Sequence, residues 1–110
     1  METNDALDTL AALAQPSRLA IFRLLVQAGP DGLGVGDIRD HLELPGATLS
    51  AHLNVLRRAG LVQDRRDGRN ICCFADFAHM NALLGYLTEN CCTGAGCTLD
   101  TFRGACGDPA

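Results

Sequence analysis

The chain has 110 residues and a formal net charge of −4 at pH 7, a length that suits one globular domain of about 100–150 residues. No apolar run approaches the roughly 20 residues of a membrane-spanning helix, and the acidic N-terminus lacks the basic and apolar parts of a secretory signal. We therefore expect a cytoplasmic protein with no membrane partner, whose six cysteines stay reduced and form no disulfide framework.

Two amphipathic helices are predicted before residue 30. The apolar side of the first helix comprises Leu7, Leu10, Ala11 and Ala14. The second helix begins at Pro16, whose fixed φ suits a first helical turn, and it ends near Gly29-Pro30. Its apolar stripe comprises Leu19, Phe22, Leu25 and Val26.

A glycine-rich connection, Asp31–Gly36, is predicted after the second helix. Val35, Ile38 and Leu42 then mark a short third helix, because their spacing follows the helical period. The segment Leu44–Gly46 is predicted to form the turn into a fourth helix.

The fourth helix combines one buried face with one face of small or polar residues. Leu49, Leu53 and Leu56 fall at i, i+4 and i+7, which places them on a single apolar side. Gly60 is positioned to end the helix in the left-handed conformation. The outer side carries residues that can approach base edges without steric conflict, namely Thr48, Ser50, Ala51 and Asn54.

A β-hairpin is predicted directly after this helix. Its strands are Leu61–Arg65 and Asn70–Ala75, and Asp67-Gly68 is a strong hairpin-turn dipeptide. Arginines crowd the tip of the hairpin, at positions 65, 66 and 69. A helix followed by a hairpin with a basic tip is typical of a winged helix-turn-helix, in which the helix enters the major groove and the wing contacts the flanking backbone.

The distribution of charge favours DNA as the partner although the whole chain is acidic. Residues 1–43 carry three Arg and seven acidic residues, residues 44–70 carry five Arg and two, and residues 71–110 carry one Arg and four. A solvated charged face is the alternative, but the excess of Arg coincides with the predicted helix and wing. Arginine also suits phosphate and guanine better than lysine does.

The predicted fold class is mainly α with a β-hairpin wing, and double-stranded operator DNA is the predicted partner. His52 could contact a phosphate or cap local backbone. The residues predicted to bind DNA are Thr48, Ser50, Ala51, His52, Asn54, Arg57, Arg65, Arg66 and Arg69.

A last helix is predicted from the N-cap Asp76 to about Asn90, with an apolar stripe of Phe77, Met80, Leu84 and Leu87. We interpret residues 1–90 as the DNA-binding and dimerisation domain and residues 91–110 as a flexible, glycine-rich tail. The stripes of the first and last helices lack an obvious partner, so a homodimer through these two helices is expected. The alternative is a five-helix core within one chain.

The chain resembles the ArsR/SmtB family of bacterial metal-responsive repressors over roughly residues 5–90. The strings that carry the resemblance are Pro16-Ser17-Arg18, Leu49-Ser50-Ala51-His52-Leu53, the segment Leu56–Val62, and Arg66-Asp67-Gly68-Arg69. The family implies a dimer that blocks a promoter and leaves DNA when an ion binds. The two-fold symmetry of such a dimer predicts an inverted-repeat operator. We expect no enzymatic activity and no organic cofactor.

Two ion sites found in that family are not supported by this sequence. Some members carry a cysteine pair before the recognition helix, whereas Leu33–Ile38 contains no cysteine here. Zinc- and nickel-type members use paired Asp/His sets on the last helix. This chain offers Asp76, His79 and Glu89 without a second histidine at the needed spacing.

Three cysteines after the last helix form the predicted metal site, namely Cys91, Cys92 and Cys97. Three thiolates saturate trivalent arsenic or antimony, whereas zinc needs four ligands and Cys106 would have to join. The tail also looks like that of an arsenic-responsive subset of the family, so As(III) or Sb(III) is the expected effector. The alternatives are another soft ion (Cd, Pb or Hg), redox or persulfide sensing, and an inert tail.

The other candidate residues are given structural roles. Cys72 and Cys73 are adjacent on a predicted strand, so their side chains should point to opposite faces and cannot grip one ion. His41 and His79 are predicted to be ordinary surface residues. The rival functions are a thiol enzyme, which the lack of a Cys-x-x-Cys motif disfavours, and a constitutive DNA-binding protein.

Overall fold

The computed structural model describes residues 1–90, in which helices pack against a small antiparallel sheet of three strands. A single 3-10 turn, Gly29–Asp31, follows the second helix. The helices and strands in chain order are α1 (Thr3–Leu13), α2 (Pro16–Ala28), β1 (Leu33–Gly34), α3 (Val35–Leu42), α4 (Gly46–Arg58), β2 (Val62–Asp67), β3 (Asn70–Ala75) and α5 (Phe77–Leu87).

The core lies between α2, α3, α4 and the sheet. Its fully buried side chains are mainly aliphatic, and they include Ile21, Leu25, Ile38, Leu49, Leu53, Leu56 and Leu61. The predicted stripes of α3 and α4 are therefore confirmed. The stripe predicted for α2 is partly wrong, because Leu19 is exposed and Ile21 is buried in its place.

A third strand was not predicted. Leu33–Gly34, expected to be connection, forms β1 and pairs antiparallel with β3, so the strand order of the sheet is β1-β3-β2. Leu33 lies opposite Cys73 and Gly34 opposite Cys72. A strand of two residues is too short to show an alternating pattern, and only its pairing with a distant segment defines it.

The wing hairpin differs slightly from its predicted register. Asp67 pairs with Asn70, so Gly68 and Arg69 are the two loop residues rather than Asp67 and Gly68. Gly68 adopts φ +63°, which matches the preference for glycine at the first loop position of a type II′ turn. The first strand also begins at Val62 and extends to Asp67, two residues beyond the predicted end.

The terminal helices leave most of their apolar side chains uncovered. Inside the chain, α1 buries the small residues Ala6, Thr9 and Ala12. Its predicted stripe is exposed, with Leu7 at 57% and Leu10 at 39% relative accessibility. Leu83 is the buried residue of α5, whereas the predicted stripe is half-buried or exposed, and Leu87 reaches 55%. Both helices thus present apolar surface outward.

Within residues 1–90, no single helix is long and apolar enough to cross a membrane. The segments Thr3–Leu13 and Pro16–Asp31 meet the length and composition requirement only as a pair, and they are bent by 99° relative to each other.

Candidate nucleic-acid interface

The outer face of α4 is open, as the sequence predicts. Leu49, Leu53 and Leu56 are buried against the core and fix the rotation of the helix about its axis. That rotation leaves four of the predicted contact residues exposed, namely Thr48, Ser50, Ala51 and Asn54. The helix begins at Gly46 without a side-chain cap, so the backbone N–H groups of its first turn can donate to a phosphate.

Gly60 ends the recognition helix in the predicted left-handed conformation, with φ +84°. The Leu61 N–H donates to the Leu56 carbonyl at 3.0 Å, and the Gly60 N–H donates to the Arg57 carbonyl at 3.0 Å. These two bonds make a Schellman motif, and the buried Leu56 and Leu61 supply its apolar contact. The motif therefore fixes the direction in which the wing leaves the helix.

The three predicted wing arginines differ in how freely they can contact DNA. Arg65 donates through Nη2 to the Asp31 carbonyl at 3.1 Å, and its guanidinium lies 5.7 Å from the centre of the Phe74 ring. Arg66 and Arg69 are exposed and make no side-chain hydrogen bond or ion pair with any residue of the described part of the chain. These two cations are available to phosphates.

Arg57 is engaged inside the protein, between the recognition helix and the wing. Its Nε donates to the Asp64 carboxylate, with distances of 3.1 Å to Oδ1 and 3.0 Å to Oδ2. Its Nη1 donates to Asn54 Oδ1 at 2.8 Å, and its Nη2 donates to Cys73 Sγ at 3.7 Å. Asp64 was not among the predicted site residues. Its only signal in the sequence is that it is acidic and lies next to the arginines of the wing.

His52 is half-buried, and one of its ring nitrogens lies beside Arg18 of α2. Its Nδ1 lies 3.4 Å from Nη1 of Arg18, which also donates through Nε to the Ala12 carbonyl at 2.7 Å. Arg18 thereby joins the end of α1 to α4, because Ala12 belongs to the last turn of α1. Within residues 1–90, His52 makes no hydrogen bond to the local backbone, so the alternative of a backbone cap is not supported. A phosphate contact by His52 stays a prediction.

The last helix is tied to both the wing and the recognition helix. Asp76 is its N-cap, as predicted, and accepts from the His79 N–H at 2.9 Å and from Nε2 of Gln63 in the wing. These hydrogen bonds hold the pKa of the Asp76 carboxyl below its usual range, chiefly through the His79 N–H. The start of α5 is therefore locked to β2.

His79 is not an ordinary surface residue, so that prediction is wrong. Its Nε2 lies 2.9 Å from Oγ1 of the buried Thr9, and Thr9 Oγ1 donates to the Asp5 carbonyl at 2.8 Å. Its ring also packs on Gly60, where an added Cβ would lie 3.0 Å from His79 Cε1. His79 therefore joins α5 to α1 and to the end of α4.

The two strand cysteines have the structural character that was predicted. Cys73 is fully buried and Cys72 is half-buried, and both are free thiols. Burial raises the pKa of the Cys73 thiol to about 11, and its hydrogen bond of 3.3 Å to Asp64 Oδ1 acts in the same direction. Cys73 is thus a protonated core residue at neutral pH.

The predicted metal ligands Cys91, Cys92 and Cys97, and the boundary predicted at residue 91, lie outside the described residues. Within residues 1–90, no group of three or more His, Cys, Asp or Glu side chains is arranged to hold a metal ion.

Comparisons with known proteins agree with this geometry. The family model for a helix-turn-helix domain matches residues 13–65. The transcriptional activator HlyU of Vibrio cholerae is 33% identical over 94 residues, which is 84% of this chain and 84% of HlyU. Its structure has a TM-score of 0.65 and covers 81% of this chain and 96% of that one.

Two further solved structures share the fold. An ArsR-like transcriptional regulator from Rhodococcus sp. RHA1 has a TM-score of 0.70 and 26% identity, with 78% of each chain covered. The homodimeric winged helix-turn-helix domain of Mb0332 from Mycobacterium bovis has a TM-score of 0.62 and 29% identity, with 79% of this chain and 81% of that one covered. Together with the exposed helix face and basic wing, these matches show that the chain belongs to the ArsR family of winged helix-turn-helix transcriptional regulators.

Proposed function

We propose that this protein is a transcriptional repressor that binds operator DNA as a homodimer and releases it when As(III) or Sb(III) binds Cys91, Cys92 and Cys97. The observation that carries the DNA-binding part is the open face of α4 beside a wing that ends in two arginines unpaired within residues 1–90. Such a helix places its N-terminal residues on base edges, and a basic wing contacts the flanking phosphates.

The homodimer is supported by the outward apolar side chains of α1 and α5. Exposed leucines on these helices would be buried against the same surface of a second copy, which is how a two-fold interface forms. The homodimeric state of Mb0332 is a further support. A two-fold dimer would read an inverted repeat whose half-sites lie about one helical turn apart.

The effector proposal rests on the chemistry of the donor set. Three thiols within seven residues, Cys91–Cys97, supply soft ligands in the number that a three-coordinate trivalent ion requires. No basic residue lies within this segment. The ion site and the DNA-binding arginines are therefore separate in sequence. A cysteine of the ion site can thus be substituted without removing a residue that binds DNA.

Helix α5 offers a physical route between the two regions. Cys91 follows Asn90 in the sequence, four residues after α5 ends at Leu87. The same helix contacts the end of α4 through His79 and Gly60, and it contacts α1 through Thr3 and Tyr86, whose hydroxyl oxygens are 2.7 Å apart. A change at the end of α5 can thus alter the spacing of two recognition helices in a dimer. The ion shifts that equilibrium only by its differential affinity for the two arrangements.

The proposal is tested by mobility shift with the DNA upstream of the protein's own gene, with and without arsenite. We expect arsenite to weaken binding by about 5- to 150-fold, the range of ordinary allosteric coupling. Cys91→Ser, Cys92→Ser and Cys97→Ser should each bind DNA normally and resist arsenite. Cys72→Ser is the matched control and should remain inducible, as should Cys106→Ser.

Each part of the proposal can fail separately in this assay. Release by cadmium, by a persulfide or by an oxidant that excess reductant reverses, without release by arsenite, would overturn the effector and keep the repressor. Retention of the response in Cys91→Ser or Cys97→Ser would overturn the three-thiolate site. Transcription in vitro from the same DNA decides between repression and the activation that the name of HlyU describes.

A further inference from the structure

The side-chain contacts of Arg57 connect three elements, α4, β2 and β3, whose relative positions must stay fixed if the recognition helix and the wing are to bind DNA together. Its guanidinium bonds Asp64 on β2, Asn54 on α4 and Cys73 on β3, at 3.0, 2.8 and 3.7 Å respectively. Every contact uses a different nitrogen, so all three guanidinium nitrogens have a protein partner, and one N–H on each Nη remains free within residues 1–90. A phosphate could reach Arg57 only through these two remaining N–H groups, because Nε and one N–H of each Nη already have partners.

Asn54 is the member of this cluster that faces the proposed groove. It is exposed and lies on the same side of α4 as Ser50 and Ala51, four and three residues earlier. Because Arg57 Nη1 occupies Asn54 Oδ1, the amide is held with its NH2 group free. A second donor would have to approach that oxygen beside a full positive charge.

We propose that Arg57 is a positioning residue that turns Asn54 into a hydrogen-bond donor selecting guanine over adenine. An asparagine with a free amide recognises adenine by accepting from N6 and donating to N7 at once. With one lone pair of Oδ1 taken by Arg57 and a positive charge beside the other, accepting from adenine N6 is disfavoured and the donating NH2 group dominates. Guanine presents two adjacent acceptors, O6 and N7, to such a donor. This inference rests on the proposed DNA-binding function and adds a base preference to it.

Asp64 orients the guanidinium of Arg57. Its carboxylate accepts from Arg57 Nε and from the Cys73 thiol, so it sets the direction in which the guanidinium points. Asp64 thereby places a negative charge in a wing that otherwise attracts phosphate. A wing that acted only by attracting phosphates would bind DNA more tightly without Asp64. A cluster that positions Arg57 requires Asp64.

The test selects binding sites for each variant from a pool of duplex DNA with a randomised central segment. The base position read by Asn54 is identified as the one whose preference disappears in Asn54→Ala. We expect the wild type to favour guanine over adenine there by about fivefold or more, since a good base contact is worth roughly 1–3 kcal/mol. Arg57→Ala and Asp64→Asn should both abolish the guanine preference and bring the ratio to one or below, because a released Asn54 amide can pair with adenine.

Arg57→Lys separates positioning from charge. Lysine can keep an ion pair with Asp64 and the fold, but a single ammonium lacks the planar fork that spans several partners. We expect this variant to melt near the wild-type temperature and still lose the guanine preference. Arg58→Ala is the matched control, because it removes an exposed arginine at the next position of the same helix. It should keep the preference.

The slope of binding to a fixed, unselected duplex against salt concentration provides an independent readout. If Arg57 bound a phosphate directly, Arg57→Ala would lower the slope by about one unit, whereas removal of a positioning residue leaves the slope nearly unchanged. An unchanged guanine ratio in Arg57→Ala, or a decrease of one unit in the slope, would overturn the inference while DNA binding stands. Failure of the wild type to bind any duplex at low salt would overturn both proposals.

Discussion

Arg66 and Arg69 are the wing side chains on which phosphate binding should depend most. Both are exposed and unpaired within the described residues, whereas Arg65 is held by the Asp31 carbonyl and the Phe74 ring. The double variant Arg66→Ala/Arg69→Ala should lower the salt slope of binding by about two units on every duplex. Titrations at several salt concentrations measure this. A wild-type slope in the double variant would show that the wing is not a backbone clamp.

Cys73 should make the stability of the protein depend on pH in the alkaline range. Its pKa of about 11 in the fold exceeds the value of 9.0 for a free thiol, so the folded state holds the proton more tightly. The stabilisation is complete below pH 9 and is lost as pH rises toward 11, by up to about 3 kcal/mol. Urea unfolding across this range measures it. Cys73→Ala should remove this component of the pH dependence, and an equal alkaline loss in that variant would refute the assignment.

At the scale of a single element, Asp76 caps the start of α5 and ties that helix to the wing. Asp76→Ala should destabilise the fold by about 1 kcal/mol, the usual cost of removing an N-cap, which lowers the melting temperature by roughly 4–8 °C in a domain of this size. Calorimetry measures the shift. Asp76→Asn is the control, because its amide oxygen can still accept from the His79 N–H. It should recover most of the loss at neutral pH.

The lowered pKa of Asp76 should also make the stability of the fold depend on pH in the acid range. Because the folded state favours the carboxylate, its contribution is present above the ordinary carboxyl pKa and is lost as pH falls below it. Asp76→Asn should therefore be slightly less stable than the wild type at neutral pH, and urea unfolding should show the difference shrinking as pH falls below the ordinary carboxyl pKa.

At the scale of the whole molecule, the apolar surfaces of α1 and α5 should form the dimer. Leu10→Asp and Leu87→Asp would each place a charge in that interface, so we expect monomers and loss of operator binding. Sedimentation velocity measures the oligomeric state. Leu19→Asp is the matched control, because Leu19 is a leucine of similar exposure on α2. Dimers of unchanged affinity in both Leu10→Asp and Leu87→Asp would locate the interface elsewhere.

The sequence by itself determined the elements whose signal is local. The spacing of Leu49, Leu53 and Leu56 defined the recognition helix, Gly60 defined its end, and the alternating strands around Gly68 defined the wing. Burial follows such periodic patterns because one face of each element must leave water. The exposed contact face of α4 was predictable for the same reason.

Only the tertiary structure decided the contacts between distant segments. It added β1, which exists through its pairing with β3, and it placed Leu19 outside the core. It also showed that Arg57 bonds Asp64 and Asn54, that His52 faces Arg18, and that His79 joins three helices. The direction of a charged side chain depends on which partners the fold brings within hydrogen-bond distance, and residue type and spacing along one segment do not contain that information.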